Sequence, residues 1–192
     1  MKDSNKRAKG QYGYRNYRRK IQILKVLFGA AMIIAQLLAR NLTDNVAAKN
    51  ILTVMAILSV LPTANVASPL LASWRYRTSS EEFHKRVSAY ESRFPVLYDL
   101  ILTSKEAVMP MDAIAVHPHG VYAYCISPKV DTAKAEKFLN EMFTGHKLDP
   151  HVKIFKDEAL FFKRLEQLKP ASEYEDDGSC GYSLDLLKSL SM

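Results

Sequence analysis

ILTVMAILSVLPTANVASPLLASW, residues 51–74, runs 24 residues without a charged side chain, and IQILKVLFGAAMIIAQLLA, residues 21–39, precedes it across an eleven-residue polar connection. As a helix rising about 1.5 Å per residue the later run is roughly 36 Å long, against a hydrocarbon core of about 30 Å. The earlier run contains Lys25, which leaves fourteen uncharged residues before Arg40. Near the basic end, the long lysine stem can lie along the helix with its ammonium among headgroups, which restores about nineteen usable residues. The connection RNLTDNVAAKN is short, so the two runs predict an antiparallel transmembrane hairpin over residues 21–77, with spans at 21–39 and 51–74.

Small residues, Gly29, Ala30, Ala31 and Ala35 in the first span and Ala, Ser and Thr in the second, let two backbones approach closely, and Asn65 is expected to hydrogen-bond across them. Pro62 and Pro69 predict a kink, or an early helix end near Pro69. A single hairpin without paired mid-membrane charges argues for simple packing over transport; a small subunit of a transporter is the alternative. Trp74 and Tyr76, followed by Arg75 and Arg77, mark an interface. Basic residues at the N-terminal arm and after the second span place both termini in the cytoplasm of a multi-pass inner-membrane protein. Asn41-Leu42-Thr43 fits a glycosylation sequon, but the pattern is common by chance and this loop is tight against the membrane.

The formal net charge is +7, and residues 1–20 account for all of it with eight Lys or Arg against Asp3. After Arg77 the chain carries 14 basic and 18 acidic side chains. The basicity therefore points to anionic headgroups beside a membrane helix, and argues against a nucleic-acid-binding body. Residues 1–20 read as a disordered basic arm dotted with Tyr12, Tyr14 and Tyr17. Cys125 and Cys180 lie 55 residues apart with neither disulfide nor zinc spacing, so reduced thiols are expected. The basic-then-apolar start is followed at once by a second span, so both runs read as retained anchors and not as a secretory signal.

From residue 78 to 170 the pattern becomes that of a small α/β domain with one core. Ser79 or Ser80 with Glu81 and Glu82 starts a helix whose face is Phe83, Val87 and Tyr90, up to Phe94, with Pro95 as its stop. VLYDLILT reads as a strand. After a loop holding Pro110, DAIAVHPHGVYAYCIS reads as two strands about a His-Pro-His-Gly turn in which Gly120 takes positive φ. Asp131-Thr132 caps a helix through Met142 that Gly145 ends, HVKIF is a strand, and Asp157-Glu158 opens a helix ending before Pro170. Residues 171–192 read as an acidic linker, SEYEDDGSCG, and a short helix from Ser183 to Leu190.

The order helix, three strands, helix, strand resembles the restriction-endonuclease-like αβββαβ core, and in particular its nuclease-related domain (NERD) branch, over roughly Glu81 to Leu168. YDLIL resembles the first core strand, Asp112 falls where the family places a metal-binding Asp, and AIAVHPHGVYAYCI resembles the hairpin that follows. The active pattern implies an acid and a lysine on the third strand, to complete a divalent-metal site and to activate water at a phosphate. Counted from Asp112 through Gly120, those places fall on Cys125 and Ser127. Lys129 lies two residues on, behind Pro128, which an unbroken strand would not tolerate. The resemblance thus implies the fold more than the activity.

The expected role is interaction or scaffolding at the membrane face by a catalytically inactive nuclease-like domain, without cofactor. Expected partners are the bilayer, an unknown membrane or cytoplasmic protein, and a second copy through the small-residue faces. Asp112 is thus a vestigial catalytic candidate; the competing reading is a metal-dependent nucleic-acid enzyme using Mg²⁺ or Mn²⁺, with Asp112 as metal ligand and His117, His119, Asp99 or a residue contributed by another chain as noncanonical partner. Histidines in a turn are more often solvent-exposed than metal ligands. Cys125 in an apolar strand reads as an inert core thiol.

Overall fold

The computed structural model describes residues 7–104, 107–149, 151–175 and 177–192. They form two compact units, one of Asn16–Arg75 and one that combines the chain up to Arg15 with Tyr76–Met192.

The first unit holds two helices, α1 (Tyr14–Leu42) and α2 (Val46–Ser73), both long and apolar enough to cross a membrane. Asn45 caps α2, its side chain accepting from the N–H groups of Ala47 and Ala48. Large apolar side chains such as Leu27, Phe28, Ile34, Ile57, Leu61 and Leu71 are exposed along both helices, a surface suited to lipid and costly in water. Gly29 meets α2 so closely that a Cβ there would overlap Thr63 Oγ1. The interhelical hydrogen bond comes from Gln36 Nε2, which donates to Ser59 Oγ at 3.3 Å. Asn65, expected in that role, is on an exposed face. Pro69 does not end α2: both prolines lie inside the helix, which continues to Ser73, whose hydroxyl donates to the Pro69 carbonyl at 2.8 Å. Arg19 stacks its guanidinium 4.3 Å from the Trp74 ring centroid.

The second unit runs α3 (Glu81–Ser88), β1 (Val96–Thr103), β2 (Val108–His117), β3 (Gly120–Tyr124), α4 (Thr132–Gly145), β4 (Val152–Phe155), α5 (Glu158–Gln167), a 3₁₀ turn at Ala171–Glu173 and α6 (Ser179–Leu190). Its four strands form a mixed sheet in the order β1-β2-β3-β4, antiparallel except for the parallel pair β3 and β4. One face packs Leu100, Met111, Ile114 and Ala123 against Leu139 and Phe143 of α4 and Leu187 of α6. The other packs Tyr98, Ala113, Ala115 and Tyr124 against Phe83 and Val87 of α3 and Phe161 and Leu165 of α5.

Several boundaries differ from the sequence reading. Helix α3 ends at Ser88, before Pro95, and turns carry Tyr90 and Phe94 back to the core. Pro110 lies within β2, opposite Ile101. Strand β3 pairs only with residues 113–117 of β2, so at Pro110 that side of the ladder has no neighbour and the missing N–H costs no bond. Helix α4 ends at Gly145, as expected, and buries Phe143, but α6 begins at Ser179, inside the stretch read as linker. The tight turn is as expected: Gly120 has φ +133°, and a Cβ on it would overlap the His151 carbonyl, which accepts from Val121 N–H at 2.9 Å.

Both sheet edges are closed. On β1, Tyr98 N–H donates to Gly10 O at 2.8 Å and the Ile101 carbonyl accepts from Met192 N–H at 3.0 Å. On β4, the N–H groups of Val152 and Ile154 donate at 2.8 Å to Asn140 and Glu136 of α4. An edge so occupied offers no template to another strand.

Candidate functional site: a buried Asp-Arg-Asp cluster

Val96 to Thr103 and Val108 to His117 pair in continuous register except at one place, between Tyr98↔Ala113 and Leu100↔Met111, where Asp99 stands opposite Asp112. There the side-chain alternation of both strands slips. Leu97, Leu100 and Leu102 of β1 share a core with Met109, Met111, Ile114 and Val116 of β2, while Tyr98 and Ala113 face the other side. The cause is Asp99, a non-glycine residue at φ 56°. Left-handed backbone costs of order 1 kcal/mol, least for Asp and Asn, and it turns the strand so that both of its halves keep their leucines inside.

Into this break comes Arg15, from the first turn of α1. Its Nη1 donates to Asp112 Oδ1 at 2.7 Å and to the Arg77 carbonyl at 3.0 Å; Nη2 donates to the carbonyls of Leu100 at 3.0 Å and Met111 at 2.6 Å. Its Nε stands 3.9 Å from Asp99 Oδ1. Asp99 Oδ2 accepts from Gly13 N–H at 2.7 Å and Thr78 Oγ1 at 2.8 Å, and Asp112 Oδ2 accepts from Ile126 N–H at 2.9 Å. The side chains of Arg15, Asp99 and Asp112 are 3%, 0% and 2% exposed, so these charges meet in a medium where an unpaired one would be very costly. Burial pushes the Asp99 carboxyl above the usual carboxylate range; Arg15, Thr78 and Gly13 pull it back, and Asp112 adds to the rise.

The expectation of a disordered arm through Lys20 is therefore corrected. Residues 1–6 lie outside the described residues, but Arg7–Arg15 is built into the second unit, and helix α1 begins at Tyr14. Tyr12 stacks on His84 with ring centroids 4.0 Å apart and donates to Ser79 O at 3.0 Å. Lys9 Nζ donates to the carbonyls of Lys188 and Ser191.

These residues do not fit a divalent metal. A hard cation needs carboxylate oxygens directed at it, and both oxygens of Asp112 are taken, one by a guanidinium that already supplies the positive charge. Cys125, where the resemblance implies a second acid, is fully buried, its thiol pushed up by burial and only partly relieved by a backbone hydrogen bond of Ser127. Ser127 stands where the resemblance puts a lysine, and β3 stops at Tyr124, so Lys129 is not on the strand.

His117 and His119 are not brought to Asp112. His117, expected in an exposed turn, is 3% exposed, with Nε2 3.0 Å from Lys169 O and Nδ1 accepting from His119 N–H at 3.1 Å. Its ring packs edge-on against Phe94 and Tyr174. Burial lowers its pKa; with Nδ1 accepting from His119 N–H, it is Nε2 that donates to Lys169 O. Among the described residues, no three His, Cys, Asp or Glu side chains are grouped to hold a metal ion.

No family model, curated protein or solved structure matches this chain. The cluster must be read from its own geometry. Its ligands are Gly13 and Arg15, immediately before the residue 16–75 unit in sequence, and Arg77 and Thr78, immediately after it. The two carboxylates pin both segments to the middle of the sheet. Sequence reasoning singled out Asp112 and Asp99 but missed Arg15, whose only local signal is a charged residue in a stretch flanked by Gly13 and Tyr17.

Proposed function

We propose that this chain is a multi-pass inner-membrane protein, both termini cytoplasmic, whose soluble unit is a nuclease-like domain without nuclease chemistry and serves for interaction or scaffolding at the membrane face. The observation that carries this reading is the Arg15 guanidinium on Asp112, where the resemblance to NERD nucleases implies a metal. Further support comes from the element order of the soluble unit, from Cys125 and Ser127 at the acid and lysine places, and from two apolar helices long enough to span. In this reading the carboxylates fasten to the domain the segments that precede and follow the hairpin in sequence.

One observation favours a metal-dependent enzyme instead: Asp99 is opposite Asp112, and withdrawal of Arg15 would leave two carboxylates facing each other. Incubating the full chain, in nanodiscs with Mg²⁺ or Mn²⁺, with single- and double-stranded DNA and RNA separates the readings. The scaffold reading expects no cleavage above that of empty nanodiscs. Cleavage that disappears in Asp112→Asn would establish the enzyme.

A further inference from the structure

The unit Asn16–Arg75 is lopsided in charge, with seven basic side chains and one acid, Asp44. Arg40 and Lys49 stand on either side of that acid in sequence, about the connection between α1 and α2. Arg18, Arg19, Lys20 and Lys25 at the start of α1, and Arg75 just beyond α2, have no acid near them in the unit's sequence. Arg19 and Arg40 are about 31 Å apart along α1, so the two sets belong to opposite ends of the helix. The Arg19 guanidinium over Trp74, the residue before Arg75, joins the cations of α1 to the end of α2. Stacked by its face, it keeps its edge N–H groups for an oxyanion. Among the described residues no ion pair takes Arg19, Lys20 or Arg75, and the indole N–H of Trp74, a residue 45% exposed, is unpaired. Leu24 and Leu27, further along α1, and Leu71, in the last turn of α2, are exposed.

Resting on the membrane reading above, we infer that this end of the hairpin binds an anionic phospholipid, its headgroup phosphodiester taken by Arg19, Arg75 and the Trp74 N–H. A zwitterionic lipid offers the same phosphodiester but brings a quaternary ammonium among cations that no acid of the unit offsets. An anionic lipid such as phosphatidylglycerol brings only the negative charge, which juxtamembrane Lys and Arg attract. The exposed leucines next to the cations favour a phosphate that carries acyl chains over a free one.

The test reconstitutes the full chain in phosphatidylcholine vesicles and reads the fluorescence of Trp74, the one tryptophan of the chain. Phosphatidylglycerol or phosphatidylcholine with brominated acyl chains, each added at the same fraction, quenches the indole it adjoins, and the ratio of the two is taken within each variant. The inference expects an apparent affinity for phosphatidylglycerol at least about threefold higher than for phosphatidylcholine. The preference should vanish in Arg19→Gln/Arg75→Gln and persist in Arg40→Gln/Lys49→Gln, which removes the same charge from the other end. Quenching in vesicles made wholly of brominated phosphatidylcholine checks that each variant inserts. Equal quenching by the two lipids, a preference that survives Arg19→Gln/Arg75→Gln, or one lost equally in Arg40→Gln/Lys49→Gln would overturn the inference and leave the membrane reading in place. No quenching of the native chain even in wholly brominated vesicles would overturn both.

Discussion

Asp99 and Asp112 occupy opposing places on adjacent antiparallel strands, and Arg15, 97 residues from Asp112 in sequence, inserts its guanidinium beside them. Two carboxylates this buried would repel each other and lower the stability of the sheet without a cation. Arg15 supplies that cation and also takes the Leu100 and Met111 carbonyls next to the break in alternation.

Removing Arg15 therefore leaves two buried carboxylates uncompensated. Arg15→Met is expected to lower unfolding free energy by about 3–5 kcal/mol, measured by urea denaturation of the full chain in nanodiscs with near-ultraviolet circular dichroism. A loss below 1 kcal/mol, the range of exposed pairs, would mean that the cluster is not as closed as described.

Asp99 combines a left-handed backbone with a carboxylate that accepts from Gly13 and Thr78. Asn tolerates the same φ and keeps an accepting oxygen, whereas Ala does neither. Asp99→Asn should be the milder substitution, with Asp99→Ala costing about 1–3 kcal/mol more by the same denaturation measurement. Equal losses would remove the backbone from the explanation.

How much of this was legible beforehand depends on the range of each interaction. Alternation and turn chemistry show within a few residues, so VLYDLILT and the hairpin about Gly120 emerge as strands, and Asp131 and Asp157 as helix caps. Pro110 was read as loop because its tolerance depends on how far β3 extends, which is a property of the sheet. Arg15 reads as part of a disordered basic arm because its partners are 62 to 97 residues away; one of the eight basic residues among residues 1–20 carries no mark of burial. Asp99 and Asp112 were visible as acids, but their juxtaposition required the register, and the slip at Asp99 has no periodic signature.

His117 links the fold to pH. Its folded pKa lies below the ordinary value of roughly 6.5 because burial, then the positive charge of its neighbours, disfavours the imidazolium, with the Lys169 carbonyl opposing. A depressed pKa contributes stability that is complete above the unfolded value and is lost as pH falls through it toward the folded one. Asp99, whose pKa is raised, acts with the opposite sign, its contribution being lost as pH rises through its folded value. The diagnostic is thus a difference: between pH 7.5 and 5 the native chain should lose more stability than His117→Gln. Parallel pH profiles would show that His117 does not titrate against folding.

The hairpin packing is testable by cross-linking. With Cys125 and Cys180 replaced by Ala, Gln36→Cys and Ser59→Cys should form a disulfide on mild oxidation in nanodiscs, because the native side chains meet at 3.3 Å. Gly29→Leu should weaken that cross-link by displacing Thr63. Failure of the pair to cross-link, with Gly29 native, would contradict the helix register.

The central claim is that Asp112 is a fastening for Arg15 and not a metal ligand. Calorimetric titration of Mn²⁺ into the full chain in nanodiscs, with the Asp112→Ala variant alongside, addresses it directly. The account predicts the same featureless heats for both proteins. Saturable micromolar binding in the native chain that vanishes in Asp112→Ala would contradict it and return the site to metal chemistry.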